Sequence, residues 1–226
     1  MKSIANIVLN DFTNDSRVLK TSYSLIQFGY KVTVVAMHSK GLVGKEMIGD
    51  INVDRVKLTS RSWPKYKPIQ LLKYLEFVCR AFWRYREVDV IHCNDLNTLP
   101  VGLLIKLVGK DVKVVYDCHE YETEISGLKG FEKKIKRILE GFLIRFVEQV
   151  ITVSDSIADE YVRLYNIPKP HVVLNCPPYQ DVATYNIFRE TFGIRNDQNI
   201  FLYQGGLSKG RGIEILLEAF EKVSSD

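Results

Sequence analysis

The 226-residue sequence predicts an α/β fold. A Rossmann-like parallel sheet with helices on both faces is expected first, then the start of a second α/β domain. Three observations predict it. Short Val- and Ile-rich runs alternate with longer stretches of helical period along most of the chain. Those runs are near-continuous in apolar residues, as strands covered on both faces are. Polar, titratable residues gather just after them, at the edge where open α/β sheets bind ligands.

In order, Ile4 to Leu9 reads as a strand and residues 10–17 as a loop in which Asp15 or Ser16 caps a helix. That helix carries Val18, Leu25 and Ile26 and stops at Gly29, and Lys31 to Met37 is the second strand of a βαβ unit. Residues 38–50 read as a glycine-bearing loop and Ile51 to Leu58 as a half-exposed strand. Ile69 to Arg86 is a helix, Val88 to Cys93 a strand and Thr98 to Val108 an apolar helix. Val112 to Tyr116 is a strand that runs into Asp117, His119, Glu120 and Glu122. Phe131 to Val147 is amphipathic, with Phe131, Ile135, Ile138, Phe142 and Phe146 on one face. A strand at Val150 to Val153, a helix capped by Ser154, and a strand at Val172 to Leu174 complete a first domain over residues 1–176. Pro177-Pro178 breaks the pattern, and residues 177–226 then offer a helix at Tyr185 to Phe192, a strand at Ile200 to Tyr203, a glycine-rich loop, and a helix from Ile213.

Composition excludes several classes. Apolar residues make up 46% and charged residues 26%, the balance of an ordinary globular chain. No apolar run is long enough to span a bilayer and no signal peptide is recognisable, so a cytoplasmic protein is expected. The four cysteines show no metal-ligand spacing, and the first turn lacks the glycines of a dinucleotide site. The net charge of +4 is unevenly placed: residues 61–86 hold seven Lys/Arg against Glu76 alone, and residues 129–149 hold six against three Glu. On the helix from 69 to 86, Lys73, Phe77, Arg80 and Arg84 share a face at helical spacing, while Leu71, Leu75, Val78 and Phe82 can face the core. Cations interleaved with an aromatic suit an anionic membrane surface; nucleic acid is the competing polyanion, a plain solvated face is the commonest outcome, and the second basic segment, with Lys133, Lys134, Lys136 and Arg137, favours the membrane surface.

Candidate site residues follow from position. His119 with Glu120 suits acid–base work or the binding of sugar hydroxyls. His92, Asn94 and Asp95 end the neighbouring strand, and a buried, backbone-bonded His92 is an equal reading. Asp15 and Arg17 follow the first strand, with a helix cap and a local ion pair as the alternative. The loop Gly205-Gly206-Leu-Ser-Lys209-Gly-Arg211-Gly212, ahead of a helix, suits a phosphate held by backbone N–H groups and the two cations, although it lacks Walker spacing.

These segments together resemble family 4 glycosyltransferases of the GT-B fold. The resemblance rests on Asp15-Ser-Arg-Val18, Gly29-Tyr-Lys-Val-Thr-Val34, Val88-Asp-Val-Ile-His-Cys-Asn-Asp95, Tyr116-Asp-Cys-His-Glu120, Ile151-Thr-Val-Ser154, and Tyr203-Gln-Gly-Gly-Leu-Ser-Lys-Gly-Arg-Gly-Ile-Glu-Ile-Leu-Leu-Glu-Ala219. It implies an acceptor-side first domain and a nucleotide-sugar-binding second domain. His119 and Glu120 would be catalytic, Asp15, Arg17, His92, Asn94 and Asp95 acceptor-binding, and Gly205, Gly206, Lys209 and Arg211 donor-phosphate-binding. Arg211 takes the place of a usual Lys, and Gly206 stands where many relatives carry an Arg. The resemblance further implies a retaining transfer from a nucleotide-sugar, without metal or other cofactor. The acceptor would be saccharide or lipid-linked, in cell-surface polysaccharide or glycolipid synthesis at the inner membrane face. No nucleic-acid partner is expected. The family's paired-Glu motif is absent from the 226 residues, so transfer is expected to need a further domain or a partner chain. Two alternatives stand beside this reading: a non-catalytic membrane-associated module of a polysaccharide assembly complex, and a GT-B-like nucleotide-sugar epimerase.

Overall fold

The computed structural model describes residues 1–119, 130–177, 179, 181, 185–207 and 210–223. The chain forms two compact units, Met1–Asn175 and Cys176–Asp226. The first is built on an eight-stranded sheet in the order β3-β4-β2-β1-β5-β6-β7-β8. The central strands β1 (Ser3–Ile7), β2 (Lys31–Met37), β5 (Val90–Asn94) and β6 (Lys113–Cys118) are parallel, as are β4 (Ile51–Val56), β7 (Gln149–Thr152) and the two-residue β8 (His171–Val172). Only β3 (Lys45–Ile48) runs antiparallel, against β4. It lies in the stretch expected to be loop. Its four residues are an edge strand with alternating exposure, too short for the hydrophobic period to show.

The helices fall into two groups according to the core they cover. Helix α1 (Ser16–Gln27) packs Val18 with Val8, Phe12, Val34, Ala36, Ile51 and Val53. On the other face, α2 (Lys67–Tyr85), α3 (Leu99–Val108) and α5 (Asp155–Tyr165) bury Phe77, Ala81, Leu99, Ile105 and Tyr161 over Ala5, Ile7, Ile91, Val114 and Tyr116. Gly102 on α3 lets the helix lie directly on β5: a Cβ there would stand 2.3 Å from Cys93 Sγ.

Helix α2 is rotated relative to the expectation from its sequence. Phe77 is fully buried, and Lys73 is tucked in with its Nζ donating to the carbonyls of Trp63 (2.6 Å) and Arg61 (3.2 Å). Arg80 pairs with Glu76 and Arg84 with Asp54, while Leu71, Leu72, Leu75 and Trp83 are exposed. The stripe Phe77, Val78, Ala81 and Tyr85 supplies the buried face, and the cations reach past it to carbonyls and carboxylates at its margins. The basic face proposed for a polyanion is therefore largely spent on internal partners.

Helix α4 (Gly130–Leu143), continued by a 3₁₀ turn over Ile144–Phe146, is turned outward as well. Its residue toward the sheet is Glu140, fully buried, whose carboxylate accepts hydrogen bonds from the hydroxyls of Tyr116 (2.7 Å), Tyr161 (2.6 Å) and Tyr165 (2.7 Å). Phe131, Ile135, Ile138, Phe142 and Phe146 are exposed.

The second unit contains α6 (Ile187–Phe192), ended by Gly193 at φ 63°, and α7 (Ile213–Glu221). Residues 200–203, expected as strand, pair with no sheet strand among the described residues; Phe201 packs edge-on against Phe220 at 5.0 Å.

Candidate functional site

Strand period places the site. In the parallel register Asn6 lies beside His92, and Asn94 beside Asp117. Alternation puts Asn6, His92, Asn94 and Asp117 on one face of the sheet and Ile7, Cys93 and Tyr116 on the other, in the core. His119 follows at the carboxyl end of β6, beyond Cys118.

Asp117 is the hub. Its Oδ1 accepts from Arg17 Nη2 at 2.6 Å, and its Oδ2 lies 3.2 Å from His92 Nε2 and 3.8 Å from His119 Nε2. Burial alone would raise this carboxyl. The contacts to His119 and His92 and the charges of His92 and Arg17 outweigh it and hold Asp117 far below the usual carboxylate range. Arg17 is therefore not part of a local ion pair: it joins α1 to β6 across 100 residues, with side chains only 8% and 3% exposed. Its Nη1 reaches the Val173 carbonyl at 3.4 Å, and its buried Nε has no partner among the described residues.

His119 is oriented by a relay of amides. Ser22 Oγ accepts from Asn6 Nδ2 (3.1 Å), and Asn6 Oδ1 accepts from Asn94 Nδ2. Asn94 Nδ2 also donates to the Ile7 carbonyl (2.9 Å). Both amide protons of Asn94 are thereby used, which turns its Oδ1 toward His119 Nε2 at 3.0 Å. Nε2 must then be the protonated nitrogen. The other nitrogen, Nδ1, lies 3.8 Å from Asp95 Oδ1. Burial favours neutral His119, but the carboxylate of Asp117, 3.8 Å from Nε2, and the charge of Asp95 prevail and raise its pKa above the ordinary histidine value. Asp95 is itself raised, chiefly by burial, with His119 opposing. It sits in the left-handed region at φ 64°, a conformation that Asp and Asn tolerate better than other side-chain-bearing residues.

Asp15 caps α1, accepting from the Val18 N–H (3.0 Å) and from Asn10 Nδ2 (2.7 Å). With Asn10, Asp11, Thr13, Asn14, Ser16, Arg17, His119 and Asn175 it lines an open pocket of about 390 Å³. The lining is amide, hydroxyl and carboxylate, and its cation is already matched by Asp117. Among the described residues no group of three His, Cys, Asp or Glu side chains is placed to hold a metal.

The structure thus brings together Asp15, Arg17, His92, Asn94, Asp95 and His119. Glu120 and Lys209 lie outside the described residues. In the second unit Gly205 (φ 156°) and Gly206 precede α7, Tyr203 Oη donates to the Gly206 carbonyl (3.1 Å), and Arg211 is exposed. A Cβ at Gly206 would meet no atom of the described residues within 4 Å. The sequence reading missed Asp117 as the organising group, and Asn6 and Asn10 with it. Period two along β5 and β6 was the available signal, since it places 92, 94 and 117 on one face.

Comparison with known proteins closes on the same family. The chain is 28% identical over 212 residues to an uncharacterized glycosyltransferase of Methanocaldococcus jannaschii, covering 88% of this chain and 53% of that one. The chain therefore spans about half the length of that curated relative. Sucrose-phosphate synthase from Thermosynechococcus elongatus matches with a TM-score of 0.72 at 15% identity, over 99% of this chain and 60% of that chain. The structure of TcCGT1 in complex with UDP matches with a TM-score of 0.50 at 10% identity, over 85% of this chain and 55% of that one. Likenesses at such identities carry the fold, the mixed α/β arrangement of GT-B proteins. The family model Glycosyltransferase Family 4 matches residues 16–177, from the first residue of α1 to just beyond β8, and with that match the chain belongs to Glycosyltransferase Family 4.

Proposed function

We propose that this chain supplies the acceptor-binding half of a glycosyltransferase that moves a sugar from a nucleotide-sugar to a saccharide hydroxyl. The observation that carries the proposal is the His119 pocket. It combines an imidazole of fixed tautomer with amides, hydroxyls and carboxylates and no uncompensated cation, which suits the hydroxyls of an uncharged sugar ring better than a phosphate. In its neutral form His119 presents Nδ1 as an acceptor for a reacting hydroxyl; in its charged form it donates to developing negative charge. Asp117, held ionised, keeps the imidazole basic and in place.

Several finer points belong to the same proposal. Asp15, Arg17, His92, Asn94 and Asp95 shape the acceptor side, with Glu120 adding a carboxylate. Gly205, Gly206, Lys209 and Arg211 take the donor pyrophosphate. Transfer retains anomeric configuration and needs no metal, because side chains and backbone N–H groups supply the charge stabilisation. The product is a cell-surface polysaccharide or glycolipid made at the inner membrane face. The family membership and the bound UDP of TcCGT1 support the nucleotide-sugar component.

The test is saturation-transfer NMR of the 226-residue chain with a panel of neutral monosaccharides, uronic acids and sugar phosphates, repeated with His119→Ala. Neutral sugars are expected to bind and to lose affinity in the variant. Preference for the sugar phosphates, or binding untouched by His119→Ala, would contradict the assignment.

A further inference from the structure

Helix α4 carries its amphipathy the wrong way round for a helix of a globular core. Six apolar side chains, Phe131, Ile135, Ile138, Leu139, Phe142 and Phe146, recur at intervals of three and four along one side and are all exposed. The opposite side holds Glu140 and Ile144, both buried. This rotation is enforced. Turning the apolar stripe inward would pull Glu140 away from three tyrosine hydroxyls, each within 2.7 Å, and take from those buried groups their shared charged acceptor. The fold therefore holds an apolar face toward solvent with a buried carboxylate.

Charge flanks that face. Lys134, Arg137 and Arg145 are exposed along one border and make no ion pair among the described residues. The acidic residues of the same segment are engaged: Glu132 with Lys67, Glu148 with Lys106, and Glu140 in the tyrosine cage. Beside the helix, Leu103, Leu104 and Leu107 of α3 and Phe142, Phe146 and Val147 form an apolar groove of about 880 Å³ with Arg145 and Lys106 at its rim.

We propose that α4 lies in the headgroup region of an anionic lipid bilayer. Phe131, Ile138 and Phe142 enter the acyl boundary, Lys134, Arg137 and Arg145 meet lipid phosphates, and the α3–α4 groove takes part of one acyl chain. Charge complementarity selects this occupant over a second copy of the chain, whose α4 would bring the same cations. Of the two basic segments expected to meet a membrane, the side of α2 is spent on internal pairs, and α4 adds to its cations an exposed apolar face that the sequence alone turns toward no particular partner. The proposal rests on the membrane component of the functional reading and not on its transfer chemistry, so the saccharide titration and the experiment below fail independently.

The experiment is flotation of the 226-residue chain with vesicles of phosphatidylglycerol and phosphatidylcholine, against vesicles of phosphatidylcholine alone. Binding is expected only to the anionic vesicles. Lys134→Gln and Arg145→Gln should each weaken it about fivefold, and Ile138→Glu with Phe142→Glu should abolish it with an unchanged circular dichroism spectrum. Phe28→Glu, on the exposed end of α1, should leave it intact. Should the double Glu variant misfold, Phe142→Trp gives a second reading: its emission should shift to the blue with anionic vesicles and be quenched by brominated acyl chains. No flotation, equal flotation with both vesicle types, a folded double Glu variant that still floats, or a Phe142→Trp emission unmoved by vesicles would overturn the proposal. So would a dimer in sedimentation that the double Glu variant dissolves, since a second copy would then cover the face.

Discussion

Asp117→Asn is the sharpest probe of how the site is held. The substitution keeps shape and removes charge, leaving Arg17 buried with a neutral amide, a carbonyl at 3.4 Å and an unpaired Nε. Breaking a buried ion pair from one side costs about 3–5 kcal/mol. Asn can still accept one hydrogen bond from Arg17, so the low end applies, about 3 kcal/mol. For a protein of this size that is a fall in Tm of roughly 6–12 °C. Urea unfolding at pH 7 and thermal melts measure it, and Arg17→Met with the double variant completes a cycle. Arg17→Met should cost less, because Asp117 keeps His92 at 3.2 Å and the nearby His119. The pH dependence has a defined sign. The folded carboxyl lies below its unfolded value of about 3.9, so its contribution is complete above that pH and is lost as pH falls through the folded value. The gap between wild type and Asp117→Asn should therefore grow as pH falls through the range where His119 takes up its proton, since Asp117 raises that group, and close on acidification below about pH 4 as Asp117 itself is protonated. A loss below about 1 kcal/mol at pH 7, or a gap that persists undiminished at about pH 2 while both proteins are folded, would refute the view that this ion pair organises the site.

Other outcomes are equally definite. His119 is raised above its unfolded value near 6.5, so the stability it adds is present below that pH and lost as pH rises through the folded value; melts of wild type against His119→Ala between about pH 6 and 8 should converge toward the alkaline end. Gly102→Ala should cost about 1–3 kcal/mol by overpacking against Cys93 and Ile91, measured by urea unfolding. Glu140→Ala should cost about 3 kcal/mol or more by removing the charged acceptor that three buried tyrosine hydroxyls share. Burial pushes the Cys93 thiol up to about 12 and the Cys118 thiol well above its usual value, whereas Cys79 and Cys176 are exposed. Mass-resolved alkylation of the native protein should therefore modify Cys79 and Cys176 first, and Cys93 and Cys118 only after unfolding.

The parallel sheet was legible because its strands are continuous apolar runs and its helices are closed by residues such as Asp15 and Gly29. Which way α2 and α4 face was not. Helix α2 carries two competing stripes and α4 a single apolar one that faces away from the sheet, and period alone does not say whether a given stripe meets the sheet. Lys73 and Glu140 decide it through partners far away in sequence, the carbonyls of Arg61 and Trp63 and three tyrosines. The site was half legible for the same reason. His119, His92 and Asn94 stand out at strand ends, but the Arg17–Asp117 pair that joins them to α1 spans 100 residues and becomes visible only once β1, β5 and β6 lie side by side.

The most direct test of the acceptor-site assignment is backbone-amide NMR of the 226-residue chain during titration with the neutral sugar that binds best. The account predicts shifts concentrated at residues 10–17, 94–95, 119 and 175, and their loss in Asp117→Asn under conditions where that variant is folded. Shifts centred on any other surface, or a response unchanged in Asp117→Asn, would contradict it.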